Sequence, residues 1–251
     1  MRADMTSREQ LERVLLAPAD SQEICVGESI EALGQVRQPA VSLALWRRWP
    51  DASLADWLAT TLPERGVYDA YFPGDAVDVP AFASQIVSRS HPEPGRSQLL
   101  SSESAQRFIA DVQQLVAIFC SLRPESRQHS VHLKLAVVDK ADCPVLHVDW
   151  IALRLICTYF GVGTEYADSR SVQRSALCHP LGSAAETNAA ILRDPQGLRR
   201  MRPFEVGLFK GSAYPGQDGR GIVHRSPPKS CGRRIKLIID STLPPEQQDI
   251  S

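Results

Sequence analysis

The run Leu146-His147-Val148-Asp149-Trp150 decides how this chain is read. It closes an apolar stretch and sets an imidazole and a carboxylate two positions apart. In an extended strand, residues i and i+2 project to the same face, so His147 and Asp149 can address one cation. A further imidazole, His224, ends a second apolar stretch in Gly221-Ile222-Val223-His224-Arg225-Ser226-Pro227. If all three side chains share a metal, two strands distant in the chain must be neighbours in space.

Downstream of Pro124 the hydrophobic period is the two-residue alternation of strands. It runs through Val131 to Val138, Val145 to Asp149, Leu153 to Phe160, Phe204 to Phe209, Gly221 to His224 and Arg234 to Asp240. Short strands punctuated by Gly and Pro predict a β sandwich or jelly roll. Within an insertion over 168–203, Ser183 to Met201 predicts one helix broken near Pro195.

Upstream of Pro124 the period is helical. Phe108, Ile109, Val112, Leu115, Val116 and Phe119 form an i, i+3, i+4 stripe over Ser102 to Leu122, with Ser102 or Ser104 as cap. Leu54 to Leu62 has the same spacing and stops at Pro63. Ser7, Leu11, Val14 and Leu15 predict a short capped helix over 7–17. Val41 to Trp46 reads as a strand. Residues 65–100 are rich in Gly, Pro, Asp and Ser, and predict an irregular surface connector with a short helix around Ala81 to Val87.

The fold class expected is therefore α+β. An α-rich part, 1–125, is integral to the fold and covers a β core over 126–245; a polar tail follows over 246–251. The 251 residues suffice for one large domain, and 43% hydrophobic with 23% charged residues is ordinary for a globular chain. A net charge of -1 gives no field that would gather nucleic acid or an anionic membrane. Basic residues are not clustered with aromatics, which argues against a nucleic-acid groove. No apolar run approaches the roughly 20 residues of a membrane span. The start Met1-Arg2-Ala3-Asp4-Met5-Thr6 lacks an apolar signal core, so a cytoplasmic protein is expected, with either Met1 or Met5 as its first residue. The six cysteines include no C-x-x-C pair, so neither a zinc ribbon nor a thioredoxin site is indicated, and disulfides are not expected.

Two imidazoles and one carboxylate are the ligand set of non-haem Fe(II) oxygenases, which leaves positions open for substrate and oxygen. A purely structural reading stands beside it. His147 would then cap a strand end, Asp149 would make a turn and His224 would be a satisfied core histidine. Oxygenases of this kind that use 2-oxoglutarate need a cation for its distal carboxylate, and the planar fork of Arg suits it. Arg234 lies ten residues after His224 and opens the last strand; Arg233 precedes it and faces the other way. Parity does not choose between them, and either could be a solvated strand end. Arg154 interrupts the apolar Leu153-Arg154-Leu155-Ile156 and must be paired or face outward; Asp149 and a substrate acid are both available to it. Thr158 and Tyr159 could hydrogen-bond a cofactor, although strands favour both residues in any case. Cys178-His179, and His129 with His132, are weaker zinc-ligand pairs. No nucleophile elbow and no phosphate-binding glycine loop occur.

The segment from Cys143-Pro144 through His147-Val148-Asp149-Trp150, Leu153-Arg154-Leu155, Thr158-Tyr159 and Gly161-Val162-Gly163-Thr164-Glu165 resembles the bacterial family called domain of unknown function 1826. Phe209-Lys210-Gly211, Val223-His224-Arg225-Ser226-Pro227-Pro228, Arg234, Asp240 and the early Leu45-Trp46-Arg47-Arg48 fit that family as well. More distantly the spacing is similar to that of Fe(II)/2-oxoglutarate dioxygenases, whose core is a double-stranded β-helix. That resemblance implies His147, Asp149 and His224 as iron ligands and Arg234, with Arg233 second, as the co-substrate anchor. The Arg225-Ser226-Pro227-Pro228 motif departs from the dioxygenase pattern.

The function expected is an Fe(II)- and 2-oxoglutarate-dependent oxygenase that hydroxylates a small molecule or an unknown substrate. The alternative is a non-enzymatic protein on the same β core that handles zinc or senses metal, supported if Cys178 and His179 lie near the triad. A metal-free scaffold is the third reading.

Overall fold

The computed structural model describes residues 23–91, 95–124, 129–139, 142–179, 181–217, 220–228 and 232–242. The helix expected over 7–17, the choice of first residue and the tail over 246–251 lie outside them.

Ten strands fall into two sheets. The larger has seven: β1 (Ile24–Gly27), β2 (Leu43–Trp46), β3 (Gly66–Phe72), β4 (Ser130–Val138), β5 (Leu153–Phe160), β8 (Val206–Lys210) and β10 (Arg234–Thr242), in the order β1-β2-β8-β5-β10-β4-β3. All its pairings are antiparallel except β1 with β2. The smaller sheet is β7 (Leu198–Arg200), β6 (Glu165–Ala167) and β9 (Val223–Arg225), with β6 in the middle. His147 adds to the free side of β9 through an isolated antiparallel bridge to His224. From β4 onward the chain therefore winds between the two sheets.

Helices α1 (Ala52–Thr61), α2 (Val79–Ser90), α3 (Arg96–Ser101) and α4 (Glu103–Leu122) come from the first half; α5 (Ala184–Ile191) comes from the insertion. Ser102 caps α4, its hydroxyl accepting from Ala105 N, so the helix starts where the capping residue predicts. The α4 stripe of Phe108, Val112, Leu115 and Phe119 packs on one face of the large sheet, against Leu133, Leu135, Leu155, Leu237 and Ile239. Each such side chain taken from water contributes roughly 1.5–3 kcal/mol. The opposite face looks toward the small sheet, where Leu43, Leu45, Ile156, Tyr166, Met201, Phe209 and Ile222 form a second cluster.

Three local expectations are corrected. Residues 65–100 are not a mostly irregular connector: the short helix expected around Ala81 to Val87 is there as α2, but β3 and α3 stand beside it. Tyr68 turns its ring inward to the helix-side core while Val67 and Tyr71 stay exposed, and β4 supplies the hydrogen bonds that the local composition could not forecast. The helix expected over Ser183 to Met201 stops at Ile191; Asp194 then caps a short turn at Pro195–Gly197 and the chain continues as β7. The strand expected from Phe204 begins only at Val206, because Phe204 is left-handed, with φ 66°. The first 125 residues also contribute β1, β2 and β3 to the same sheet as the later strands.

Candidate metal centre

His147 and His224 face each other because their backbones pair directly. His147 N donates to His224 O at 3.0 Å, and His224 N donates to His147 O at 2.9 Å. The ring centroids are 4.6 Å apart, and Phe209 meets the His224 ring edge-on at 5.1 Å. Each imidazole is held the same way. Nδ1 of His147 lies 2.8 Å from Val145 O, and Nδ1 of His224 lies 3.2 Å from Ile222 O. A carbonyl only accepts, so Nδ1 carries the proton in both rings and Nε2 presents its lone pair. Backbone partners of this kind fix the tautomer that a metal-binding histidine needs.

Both Nε2 atoms point at one carboxylate. His147 Nε2 is 3.6 Å from Asp149 Oδ1, and His224 Nε2 is 3.3 Å from Asp149 Oδ2. One ligand atom from each residue lies within 4.8 Å of the others, and this is the group of metal-ligating side chains found among the described residues. The donor set, two neutral imidazoles and one carboxylate, fits a first-row divalent metal. Burial opposes the charge on Asp149, but the His147 and His224 rings beside it and the charge of Arg154 outweigh it and hold the carboxyl far below the usual range. Burial likewise works against a second proton on His147, but Asp149 beside Nε2 and Val145 O at Nδ1 prevail and raise its pKa, so a bound cation would take the place of an Nε2 proton.

Arg154 closes the back of the site. Its NH1 donates to both Asp149 oxygens at 2.8 Å, while Nε and NH2 fork onto Asp240 at 2.7 Å each. Asp240 is its direct cross-strand partner on β10. The strand expected over Val145 to Asp149 is only the single bridge at His147, so side chains must hold its flanks. Asn188 of α5 does so: its Oδ1 accepts from Leu146 N at 2.7 Å and its Nδ2 donates to Pro144 O at 2.9 Å. Sequence reading missed Asn188, because nothing local ties the insertion to this segment. On the other flank Ser212 N donates to Asp149 O at 2.8 Å. A Cβ on Gly211 would sit 2.0 Å from Ile151 O and 2.7 Å from Asp149 O. Gly211→Ala is expected to destabilise the fold by about 1–3 kcal/mol, as overpacking does, and to weaken metal uptake together with it. Urea unfolding and metal titration of the variant check both; an unaltered metal affinity would separate Gly211 from the site.

The remaining residues singled out in the sequence divide by sheet face. Arg234 is 2% exposed and points between the sheets, where Nε donates to Val162 O at 2.6 Å and NH1 lies 3.9 Å from Asp142 Oδ1. Lys236, on the same face, donates to Asp142 Oδ2 at 2.5 Å. Thr158 stands opposite Lys236, fully buried, with no hydrogen-bond partner for its hydroxyl. Arg233 points away and binds the carbonyls of Ala59, Leu62 and Pro63 at the end of α1. Tyr159 lies on the helix side, where its hydroxyl donates to Asp111 Oδ2 at 2.6 Å. Cys178 and His179 are exposed and join no metal-ligating group among the described residues, nor do His129 and His132. The five cysteines described, Cys25, Cys120, Cys143, Cys157 and Cys178, are free thiols.

A family model described as protein of unknown function, DUF1826, matches residues 27–240. The chain belongs to that family. Comparison with curated proteins finds no significant match. Among solved structures, this DUF1826 chain is similar to a dioxygenase for auxin oxidation from rice, with 12% identity over 90% of this chain and 87% of that one and a TM-score of 0.44. It is also similar to a prolyl-4-hydroxylase from Pseudomonas putida, with 11% identity over 85% and 97% of the two chains and a TM-score of 0.40. A 2OG-Fe(II) oxygenase family oxidoreductase from Burkholderia pseudomallei gives 14% identity over 85% and 89%, with a TM-score of 0.36. No helix among the described residues is long and apolar enough to cross a membrane.

Proposed function

We propose that this chain is an Fe(II)- and 2-oxoglutarate-dependent oxygenase. The observation that carries the reading is the convergence of His147 Nε2, His224 Nε2 and the Asp149 carboxylate, with both imidazoles held in the ligating tautomer. The winding of β4, the His147 segment, β5, β6, β7, β8, β9 and β10 between two sheets supports a double-stranded β-helix as the frame. The first 125 residues are then part of this one unit rather than a separate domain.

Iron bound by these three residues would supply oxygen activation coupled to oxidation of the 2-oxo acid. The protein's own contribution is position and charge. Arg154, anchored by Asp240, holds the Asp149 carboxylate by its bisector, so that one oxygen faces each imidazole. Arg234 and Lys236 provide the cationic seat for the distal carboxylate, with the Thr158 hydroxyl as an added donor. The spacing suits a short dicarboxylate: Ser226, whose hydroxyl reaches the same seat, lies just past the end of β9, two residues from His224, about 7 Å of extended chain. Arg233 and Tyr159 belong to the helix-side scaffold in this reading.

Iron-loaded protein given 2-oxoglutarate under air is expected to release succinate above a protein-free control, and to release none without oxygen. Tight iron or zinc binding with no succinate would favour the metal-handling alternative.

A further inference from the structure

The cations proposed to hold the co-substrate already hold a carboxylate. Lys236 and Arg234 are 6% and 2% exposed, and both face Asp142. Lys236 Nζ is 2.5 Å from Asp142 Oδ2, and the Ser226 hydroxyl donates to Asp142 Oδ1 at 2.5 Å. Each oxygen of Asp142 thus has its own donor, as the carboxylate of a bound acid would. The Asp142 side chain is 32% exposed, so it lies over the buried cations on the side nearer solvent. Burial alone would raise its pKa, but Lys236 and Ser226 bring it down to about 2, and the group is anionic at neutral pH.

We infer that Asp142 is an internal carboxylate occupying the anion seat formed by Lys236, Arg234 and Ser226, and that an acid ligand enters by displacing it. The inference rests on the co-substrate reading above, and deepens it by naming what sets ligand affinity. Buried cations without a counter-charge are costly, so a seat awaiting a ligand gains stability from a resident anion. The exchange is carboxylate for carboxylate, with no change in the number of charges facing the cations. Because the competitor is tethered, the apparent affinity falls by the fraction of molecules in which the seat is open. The seat then favours acids that gain a second attachment elsewhere, such as the metal, over simple monoanions.

The test uses zinc-loaded protein, which binds without turnover, titrated calorimetrically with 2-oxoglutarate and separately with glutarate. Asp142→Asn is expected to tighten both by about tenfold or more, because it removes the competing charge while keeping the side chain's shape. Asp142→Ser, which removes the resident carboxylate and leaves Lys236, Arg234 and Ser226 in place, should also tighten both, and it serves if Asp142→Asn folds poorly. Unchanged or weaker binding in the variants, or no binding of either acid to any of the proteins, overturns the inference. Tighter glutarate binding in the variants with no preference for 2-oxoglutarate would uphold the Asp142 inference and count against the co-substrate reading.

Discussion

Alanine at His147, Asp149 or His224 is expected to abolish stoichiometric binding of Fe(II) or Zn(II). The three ligand atoms are the donors gathered within 4.8 Å, so each substitution removes one of a minimal set. Partners that merely orient a metal ligand are worth roughly 10–100-fold in affinity, and losing a ligand should exceed the upper end of that range. Asp149 needs a gentler companion variant, since alanine there also strips Arg154 of one of its two carboxylates. Asp149→Asn keeps the shape, and should show the same loss of metal with less loss of stability. Equilibrium dialysis with metal analysis reads the result. Full wild-type stoichiometry in the variants would end the metal-centre assignment and with it the oxygenase reading. Tyr159→Phe, on the other face of the sheet, is the matched control and should bind metal as the native chain does.

The largest effect on stability is expected on that other face. Arg48 reaches from the end of β2 into the seam between α4 and β5. There it forms an ion pair with both oxygens of Asp111, donates to Phe204 O at 2.7 Å and approaches Cys157 Sγ at 3.3 Å. Tyr159 completes the cluster through its hydroxyl on Asp111, with its ring edge against Phe108 and Phe204. Burial acts against the charge on Arg48, yet Cys157, Asp111 and Tyr159 raise its pKa, so it stays cationic. Burial pushes the Cys157 thiol up to about 11, and raises the Tyr159 phenol well above its ordinary value. Asp111→Ala leaves a guanidinium and a phenol unpaired in a mostly apolar seam, and should cost about 3–5 kcal/mol. At about 2–4 °C per kcal/mol for a chain of this size, the melting temperature would fall by about 10 °C. Tyr159→Phe removes only one donor and should cost about 1 kcal/mol. Urea unfolding of both variants decides; an Asp111→Ala loss no greater than that of Tyr159→Phe would mean that Arg48 finds another partner.

Residues of the two faces were unequally legible. The α4 stripe and the alternation along β4, β5 and β10 are periodic signals confined to a few turns or one strand, and each lies where the period places it; His147 and Asp149 converge although the strand expected for them is a single bridge. β3 was missed because its sequence is bounded by glycine and acidic turns and acquires its bonds from β4, more than fifty residues on. Arg233 and Arg234 were equivalent by alternation. Their separation came from contacts: Arg233 binds carbonyls at the end of α1, whereas Arg234 faces Asp142 between the sheets. Arg154 was recognised as a charge needing a partner, but it has two, and the second, Asp240, is named by strand register. Asn188 and Asp142 carried no local signal at all.

Reading residue types in order was enough to place the long helix before Pro124 and the strands after it, and to name His147, Asp149 and His224 as candidates for one cluster, with a structural reading of the three left standing beside it. These are properties of side-chain chemistry and backbone pitch, which act within a few residues. Which charges meet was settled by folding. The placement of Arg234 between the sheets and of Arg233 against α1, the Asp149–Arg154–Asp240 chain and the carboxylate resting on Lys236 all depend on strand order and register. Those are set by hydrogen bonding and apolar burial summed over the whole sheet, and no single segment encodes that sum.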